Sequence, residues 1–162
     1  MGIWYEALIR WVGPATEVMA MSSVNVPTRK DSDGNLVFIT VPDQVDIICR
    51  MAIGAQARIR LSSVIGLGLA SGIYINGSEG SIFIDKSGKS IRVGRRGDTE
   101  LKEYQIPPEE KGVWRVEEEF INAVRGLEKI KLTSFEDGVK YMEFTEAVTR
   151  SAQTGQIVSL PL

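Results

Sequence analysis

The sequence contains no histidine. Without imidazole there is no Ser-His-Asp triad, no Cys-His pair, no histidine base near neutral pH and almost no route to a zinc or copper site. Its single cysteine, Cys49, lies in the apolar run Ile47-Ile48-Cys49-Arg50-Met51 and cannot form an internal disulfide. It reads as a small buried hydrophobe, and a reducing, cytoplasmic setting is expected. No run approaches the roughly 18 apolar residues of a membrane span, and Met1-Gly2-Ile3-Trp4 lacks a basic region followed by an apolar signal core. Excess positive charge is missing too, since 19 Lys and Arg face 21 Asp and Glu for a net charge of −2. With no positive field to release counterions from a phosphate backbone, nucleic acid is not an expected partner, and neither is a membrane. What remains is a chain of 162 residues, 43% hydrophobic and 25% charged, the size and composition of one globular domain.

Residues Ile3 to Val12 place Trp4, Leu8 and Trp11 on one helical face, and Gly13-Pro14 ends the pattern. Apart from Gly2 no capping residue precedes this apolar helix, so the chain reads as cut from something longer, a natural start being the alternative. A first strand is expected from Glu17 to Val26. Asp43 to Gly54 and Ala55 to Ile65 form two longer strand patterns with Gly54 as the bend between them. Alternation sets Ala57, Ile59 and Leu61 on one face and Gln56, Arg58, Arg60 and Ser62 on the other. Short strands follow over Gly72 to Ile75, Ser81 to Asp85, Ser90 to Arg95 and Leu101 to Ile106, an antiparallel meander with turn chemistry at each corner.

Three stretches imitate functional motifs. Lys30-Asp31-Ser32-Asp33-Gly34-Asn35 looks like a calcium loop, but its glycine stands early and Pro42 occupies the position of the bidentate glutamate. Gly66-Leu67-Gly68-Leu69-Ala70-Ser71-Gly72 follows a strand like a dinucleotide fingerprint, with Asp85 at about the ribose-binding distance. The fingerprint needs a helix next, whereas Ile73-Tyr74-Ile75-Asn76-Gly77 is β-branched, aromatic and soon broken by glycine, so a turn between strands is expected. The corner Arg95-Arg96-Gly97 could touch an anion, but a solvated hairpin tip is the simpler reading.

After Pro107-Pro108, a helix is expected with Val116, Phe120, Ala123, Val124 and Leu127 as its apolar stripe, Glu117 to Glu119 in its first turn, and Arg125 and Lys129 in its last. A final helix starts at Ser134 with a capping box to Asp137 and stops at Gly155. Its face is Tyr141, Phe144, Val148 and Ala152, widened by Phe135, Val139 and Met142. The expected fold class is therefore α+β, a largely antiparallel open sheet with these two helices on one face. Ile73-Tyr74-Ile75 and Ile82-Phe83-Ile84 are apolar on both faces, so the uncovered face is expected to pack against a second copy in a homo-oligomer.

Several blocks then resemble a known family. Ile75-Asn76-Gly77-Ser78-Glu79-Gly80-Ser81-Ile82-Phe83-Ile84, Phe120-Ile121-Asn122-Ala123-Val124, Ser134-Phe135-Glu136-Asp137-Gly138 and Ser151-Ala152-Gln153-Thr154-Gly155-Gln156-Ile157-Val158 are similar to the C-terminal domain of the Gfo/Idh/MocA (glucose–fructose oxidoreductase/inositol dehydrogenase) family. Gly2 to Trp11 resembles that family's Gly-x-His-x-x-Asp-x-x-Arg-Trp helix, with Arg10-Trp11 in register. The resemblance implies one C-terminal domain over residues 1–162, cut from or separate from an N-terminal Rossmann domain. It also implies a parent oxidoreductase moving a hydride between NAD or NADP and a sugar, cyclitol or related polyol. In that register Trp4 occupies the catalytic histidine position and Ala7 that of its acid partner, and neither transfers a proton.

The function expected is thus that of a substrate-pocket and oligomerisation domain, inactive alone, with no catalytic, cofactor or metal residue of its own. The alternative is a naturally separate binding or assembly protein built on the same domain; a self-sufficient hydrolase finds no constellation. Candidate substrate contacts are Arg58 and Arg60, from strand alternation, with Trp4 and Tyr5 at the resembled catalytic helix. Against this, both arginines could instead meet solvent or pair across the oligomer face.

Overall fold

A computed structural model describes residues 2–68 and 70–162; Met1 and Leu69, the latter inside the glycine-rich turn, lie outside the described residues. In chain order the elements are α1 (Gly2–Val12), β1 (Ala15–Ser23), β2 (Thr28–Lys30), β3 (Leu36–Phe38), β4 (Gln44–Met51), β5 (Gln56–Ser62), β6 (Gly72–Gly77), β7 (Gly80–Asp85), β8 (Ile91–Arg95), β9 (Lys102–Tyr104), α2 (Val116–Val124), α3 (Phe135–Thr154) and β10 (Val158–Ser159). The fold is α+β with antiparallel sheets, as the sequence implies. The strands expected in one sheet divide among three, and the chain forms two compact units, Met1–Ile65 with Val116–Leu162 and Gly66–Arg115.

The first unit is built on a four-stranded sheet of order β10-β1-β4-β5. Alternation along β1 and β4 sends Val18, Ala20, Ile47, Cys49 and Met51 to one face, all at most 3% exposed. On that face lies α3, whose Phe144, Ala147, Val148 and Ser151 are buried. Each large side chain so covered contributes on the order of 1.5–3 kcal/mol relative to exposure. The capping box is present as expected: the Ser134 hydroxyl accepts from the Asp137 amide at 3.1 Å while Asp137 returns the bond to the cap. Gly155, at φ 69°, ends the helix.

Its continuation shows how the last strand is placed. β10 pairs with β1 only at Val18 and Glu17, so the Ala20 amide finds its acceptor in the fully buried Ser151 hydroxyl at 2.9 Å. That hydroxyl donates in turn to the Gln156 carbonyl at 2.7 Å. One small side chain thus ties α3, β1 and the exit of the chain, and it satisfies the buried Ala20 amide, which would otherwise be costly.

Two expectations about the helices need correction. Phe135, Val139 and Met142 do not widen the buried stripe; they are 81%, 58% and 60% exposed. At 3.6 residues per turn they stand roughly 160–220° around the axis from Phe144, on the opposite side of α3. The second helix ends at Val124, so Arg125, Lys129 and Leu127 lie beyond it, and its expected core residues Phe120 and Val124 are 50% and 75% exposed. Its buried residue is Glu119, which accepts from the Lys131 amide at 3.3 Å. The helix that joins α3 on the core is instead α1, through Tyr5, Leu8, Ile9 and Val12.

The second unit is the expected meander, of order β6-β7-β8-β9. Ile73, Ile75, Ile82, Ile84, Ile91 and Val93 share one face by register; Tyr74, Phe83 and Arg92 share the other. Phe83 is 3% exposed, with the Tyr74 ring 4.5 Å away and the Arg92 guanidinium 4.6 Å over its centre. A Cβ at Gly72 would stand 2.4 Å from the Ile84 carbonyl oxygen and 2.6 Å from the Phe83 ring. Only glycine lets the two strands close at that end. The glycine-rich segment therefore leads into β6, not into a helix.

Candidate functional site

The side chains at issue lie on two sides of the four-stranded sheet. On the covered side, α1 presents Trp4, 42% exposed, beside Tyr5, 2% exposed. Tyr5 stacks on Phe144 with centroids 3.7 Å apart and planes 6° from parallel, and its hydroxyl accepts from the Ala15 amide at 2.8 Å. Burial pushes the phenol above its ordinary range. Tyr5 is thus built into the core, where it joins α1 to β1 and α3.

One turn along, Glu6 pairs with Arg10, and Thr133 bridges them, donating to Glu6 Oε1 at 2.8 Å and accepting from Arg10 Nη2 at 3.0 Å. This link pins α1 to the segment that leads into α3. The i, i+4 spacing of Glu6 and Arg10 is visible in the sequence, but Thr133 is far along the chain and only the fold brings it in.

Arg58 and Arg60 stand on the other side. There the sheet shows four rows of three cross-strand neighbours: Glu17-Arg50-Gln56, Met19-Ile48-Arg58, Met21-Asp46-Arg60 and Ser23-Gln44-Ser62. Arg60 donates to Asp46 at 2.6 Å and Arg50 to Glu17 at 2.8 Å. The Arg60 hydrogen bond, with one from Gln44, holds the Asp46 carboxyl below its ordinary range. Met19, Met21 and Ile48 are 45%, 74% and 58% exposed among these charges. The structure therefore does not bring the four candidates together: Trp4 and Tyr5 belong to the helix side, Arg58 and Arg60 to the open side.

In the second unit a shallow cavity of about 370 Å³ lies between hairpin corners and is bordered by Ser78, Ser81, Arg95, Arg96, Asp98 and Glu100. Its mixed charge selects neither sign. The Arg95 amide donates to the Asp98 carboxylate at 2.8 Å and Gly97 takes φ 97°, the hairpin-tip geometry. Among the described residues no cluster of His, Cys, Asp and Glu could hold a metal ion. A dinucleotide does not fit the residues present either, because the segment nearest to a phosphate loop opens no helix N-terminus.

From residue 5 to residue 160 the sequence matches the family described as the oxidoreductase family, C-terminal alpha/beta domain. The chain belongs to this family, Gfo/Idh/MocA. Levoglucosan dehydrogenase in its apo form superposes on this Gfo/Idh/MocA domain with a TM-score of 0.78 at 20% identity, covering 96% of this chain and 48% of that one. An NAD binding oxidoreductase from Klebsiella pneumoniae gives 0.74 at 18% identity, covering 97% and 48%. The WlbA dehydrogenase from Bordetella pertussis, solved with NADH and UDP-GlcNAcA, gives 0.65 at 20%, covering 98% and 44%. The chain spans just under half the length of these structures. No curated protein matches the sequence.

Proposed function

We propose that this Gfo/Idh/MocA domain is the substrate-pocket and oligomerisation part of an NAD(P)-dependent sugar or polyol oxidoreductase of the cytoplasm, and that it performs no catalysis alone. The observation that carries the reading is at α1. In the register of the family's Gly-x-His-x-x-Asp-x-x-Arg-Trp helix, which starts just ahead of the residues 5–160 matched to the family, the positions that the resemblance gives to a proton-transferring pair hold Trp4 and Ala7. Neither can donate or accept a proton.

On this reading hydride chemistry belongs to a Rossmann domain that binds NAD or NADP, and the present domain shapes the other wall of the pocket. The similar structures that contain NADH together with L-sorbose or UDP-GlcNAcA support a carbohydrate or polyol substrate. The exposed Trp4 indole offers an apolar platform for the C–H face of such a ring. Arg58 and Arg60, across the sheet from Trp4, serve association instead. With Met19, Met21 and Ile48 they form the face through which copies of the chain meet.

Calorimetric titration of the chain with NADH is expected to show no binding at micromolar concentration; micromolar affinity would overturn the inactive-domain reading. Sequencing upstream of codon 1 separates the two origins. An open frame encoding a Rossmann domain supports the oxidoreductase, and an in-frame stop with a ribosome site supports the separate binding or assembly protein.

A further inference from the structure

Strand register in the second unit sets an aromatic row beside the cavity between its hairpin corners. Across β6, β7, β8 and β9 one row reads Tyr74-Phe83-Arg92-Glu103, and the next row on the same face reads Asn76-Ser81-Gly94. Ser81 and Gly94 line the cavity. Residues two apart on a strand are separated by about 7 Å, so the aromatic row stands at the cavity's margin, about one sugar ring away.

The walls of the cavity are held by backbone hydrogen bonds. The Arg96 amide donates to the Glu79 carbonyl at 2.8 Å and joins the two corners, while the Asp98 amide and carboxylate both return to the Arg95 backbone, at 3.0 and 2.8 Å. The floor is close-packed: Gly94 is buried, and a Cβ there would stand 3.0 Å from the Leu101 side chain and 3.2 Å from the Glu100 carbonyl oxygen. The volume of about 370 Å³ lies at the small end of the roughly 300–1,000 Å³ of small-molecule sites.

Its chemistry selects a ligand without net charge. Arg95 and Arg96 are matched by Asp98 and Glu100, with the Ser81 and Thr99 hydroxyls among them. A guanidinium only donates and a carboxylate only accepts, whereas a hydroxyl does both, so adjacent hydroxyls can use groups of either kind while a simple ion can use only one. The Ser81 hydroxyl donates to Asn76 Oδ1 at 2.8 Å, which leaves its lone pairs for an incoming donor. Beside these groups Tyr74 is 56% exposed, and the buried Phe83 ring backs it at 4.5 Å. A ring held in this way offers its exposed side to the apolar face of a ligand. The cavity is shallow and Arg95, Arg96, Asp98, Thr99 and Glu100 are all exposed, so it covers one side of a ligand and lets the other extend into solvent.

We propose that this face binds a neutral saccharide of two or more units, one ring stacked on Tyr74 and the next in the cavity, where Arg96 donates to its hydroxyls and Glu100 accepts from them. The site lies wholly within the second unit and requires neither Trp4 nor a cofactor, so it goes beyond the function proposed above.

Amide NMR spectra of the full chain, titrated with cellobiose, maltose and lactose, test the proposal, with glucose, glucuronate, glucosamine and glycine for comparison. At least one disaccharide is expected to move the Ser81, Gly94, Arg96 and Glu100 amides with a Kd of about 1 mM, and glucose to bind about two- to tenfold more weakly because it cannot also reach Tyr74. Tyr74→Ala and Glu100→Ala should each weaken the disaccharide by a similar factor, with the remaining amides unmoved; Glu100 is exposed, so its variant folds whatever becomes of Tyr74→Ala. No shift from any disaccharide at about 50 mM, tighter binding of glucuronate, glucosamine or glycine, or wild-type affinity in Glu100→Ala would overturn the proposal. None of these outcomes bears on the NADH titration that tests the inactive-domain reading.

Discussion

The two faces of the four-stranded sheet carry the same strands and opposite chemistry. On one, Val18, Ile47, Cys49 and Met51 are sealed under α1 and α3. On the other, Met19 and Ile48 stand one residue away along the same strands, exposed among Arg50–Glu17 and Arg60–Asp46 pairs. Since exposed ion pairs contribute about 0–1 kcal/mol each, the open face adds little to the fold of the single chain. Folding is concentrated on the covered face, which leaves the other free to be selected for contact with another molecule.

The sharpest contrast is between Phe144→Ala and Ile48→Ala. Urea denaturation of the dissociated chain, at concentrations below those of association, should show a loss of about 3–5 kcal/mol for the first, which empties the stack under Tyr5, and less than about 0.5 kcal/mol for the second. Equal costs would break the comparison. Ser151→Ala should cost about 1–3 kcal/mol, because the Ala20 amide and the Gln156 carbonyl lose their partner together. Gly72→Ala carries the same logic to the second unit. An overpacked contact with the Ile84 carbonyl and the Phe83 ring should cost about 1–3 kcal/mol, and native-state proteolysis should find the meander opened first.

A smaller effect is expected from Asp43. Hydrogen bonds from the Asn25 and Val26 amides and from Arg29 hold its carboxyl down at about 2, against 3.8 ordinarily. A carboxyl lower in the folded than in the unfolded chain stabilises above pH 3.8, and this contribution is lost as the pH falls through about 2. Melting curves across that window should therefore slope less for Asp43→Asn than for the wild type. The smallest effect concerns Cys49, whose thiol burial pushes up to about 11. Ellman's reagent should label it only as the chain unfolds, at the denaturation rate of the covered face.

Much of this was legible in the sequence because it is local. The Ser134–Asp137 box, the Gly155 stop, the alternation that separates Ile59 from Arg58 and Arg60, and the failure of Gly66 to Gly72 to open a helix all depend on residues a few positions apart. What was not legible depends on distant partners. Apolar periodicity made Phe120, Val124 and Val139 look buried, but whether a stripe is covered depends on which element reaches it, and α1 took the place expected for α2. The edge of the first sheet has the same origin, because β10 returns from the far end of the chain to lie beside β1. Of the candidate contacts, Tyr5 was named for its place on a resembled helix, and its spacing alone could not show that its ring would stack on Phe144.

Whether one face of the sheet folds the chain while the other recruits a second copy is tested most directly by sedimentation equilibrium of the wild-type chain and Ile48→Glu at micromolar concentration. An associated wild type and a monomeric variant with the same far-ultraviolet circular dichroism are expected, the variant melting lower because it lacks the stabilisation that association adds. A wild type that stays monomeric, or a variant that associates just as well, would contradict this division of the two faces.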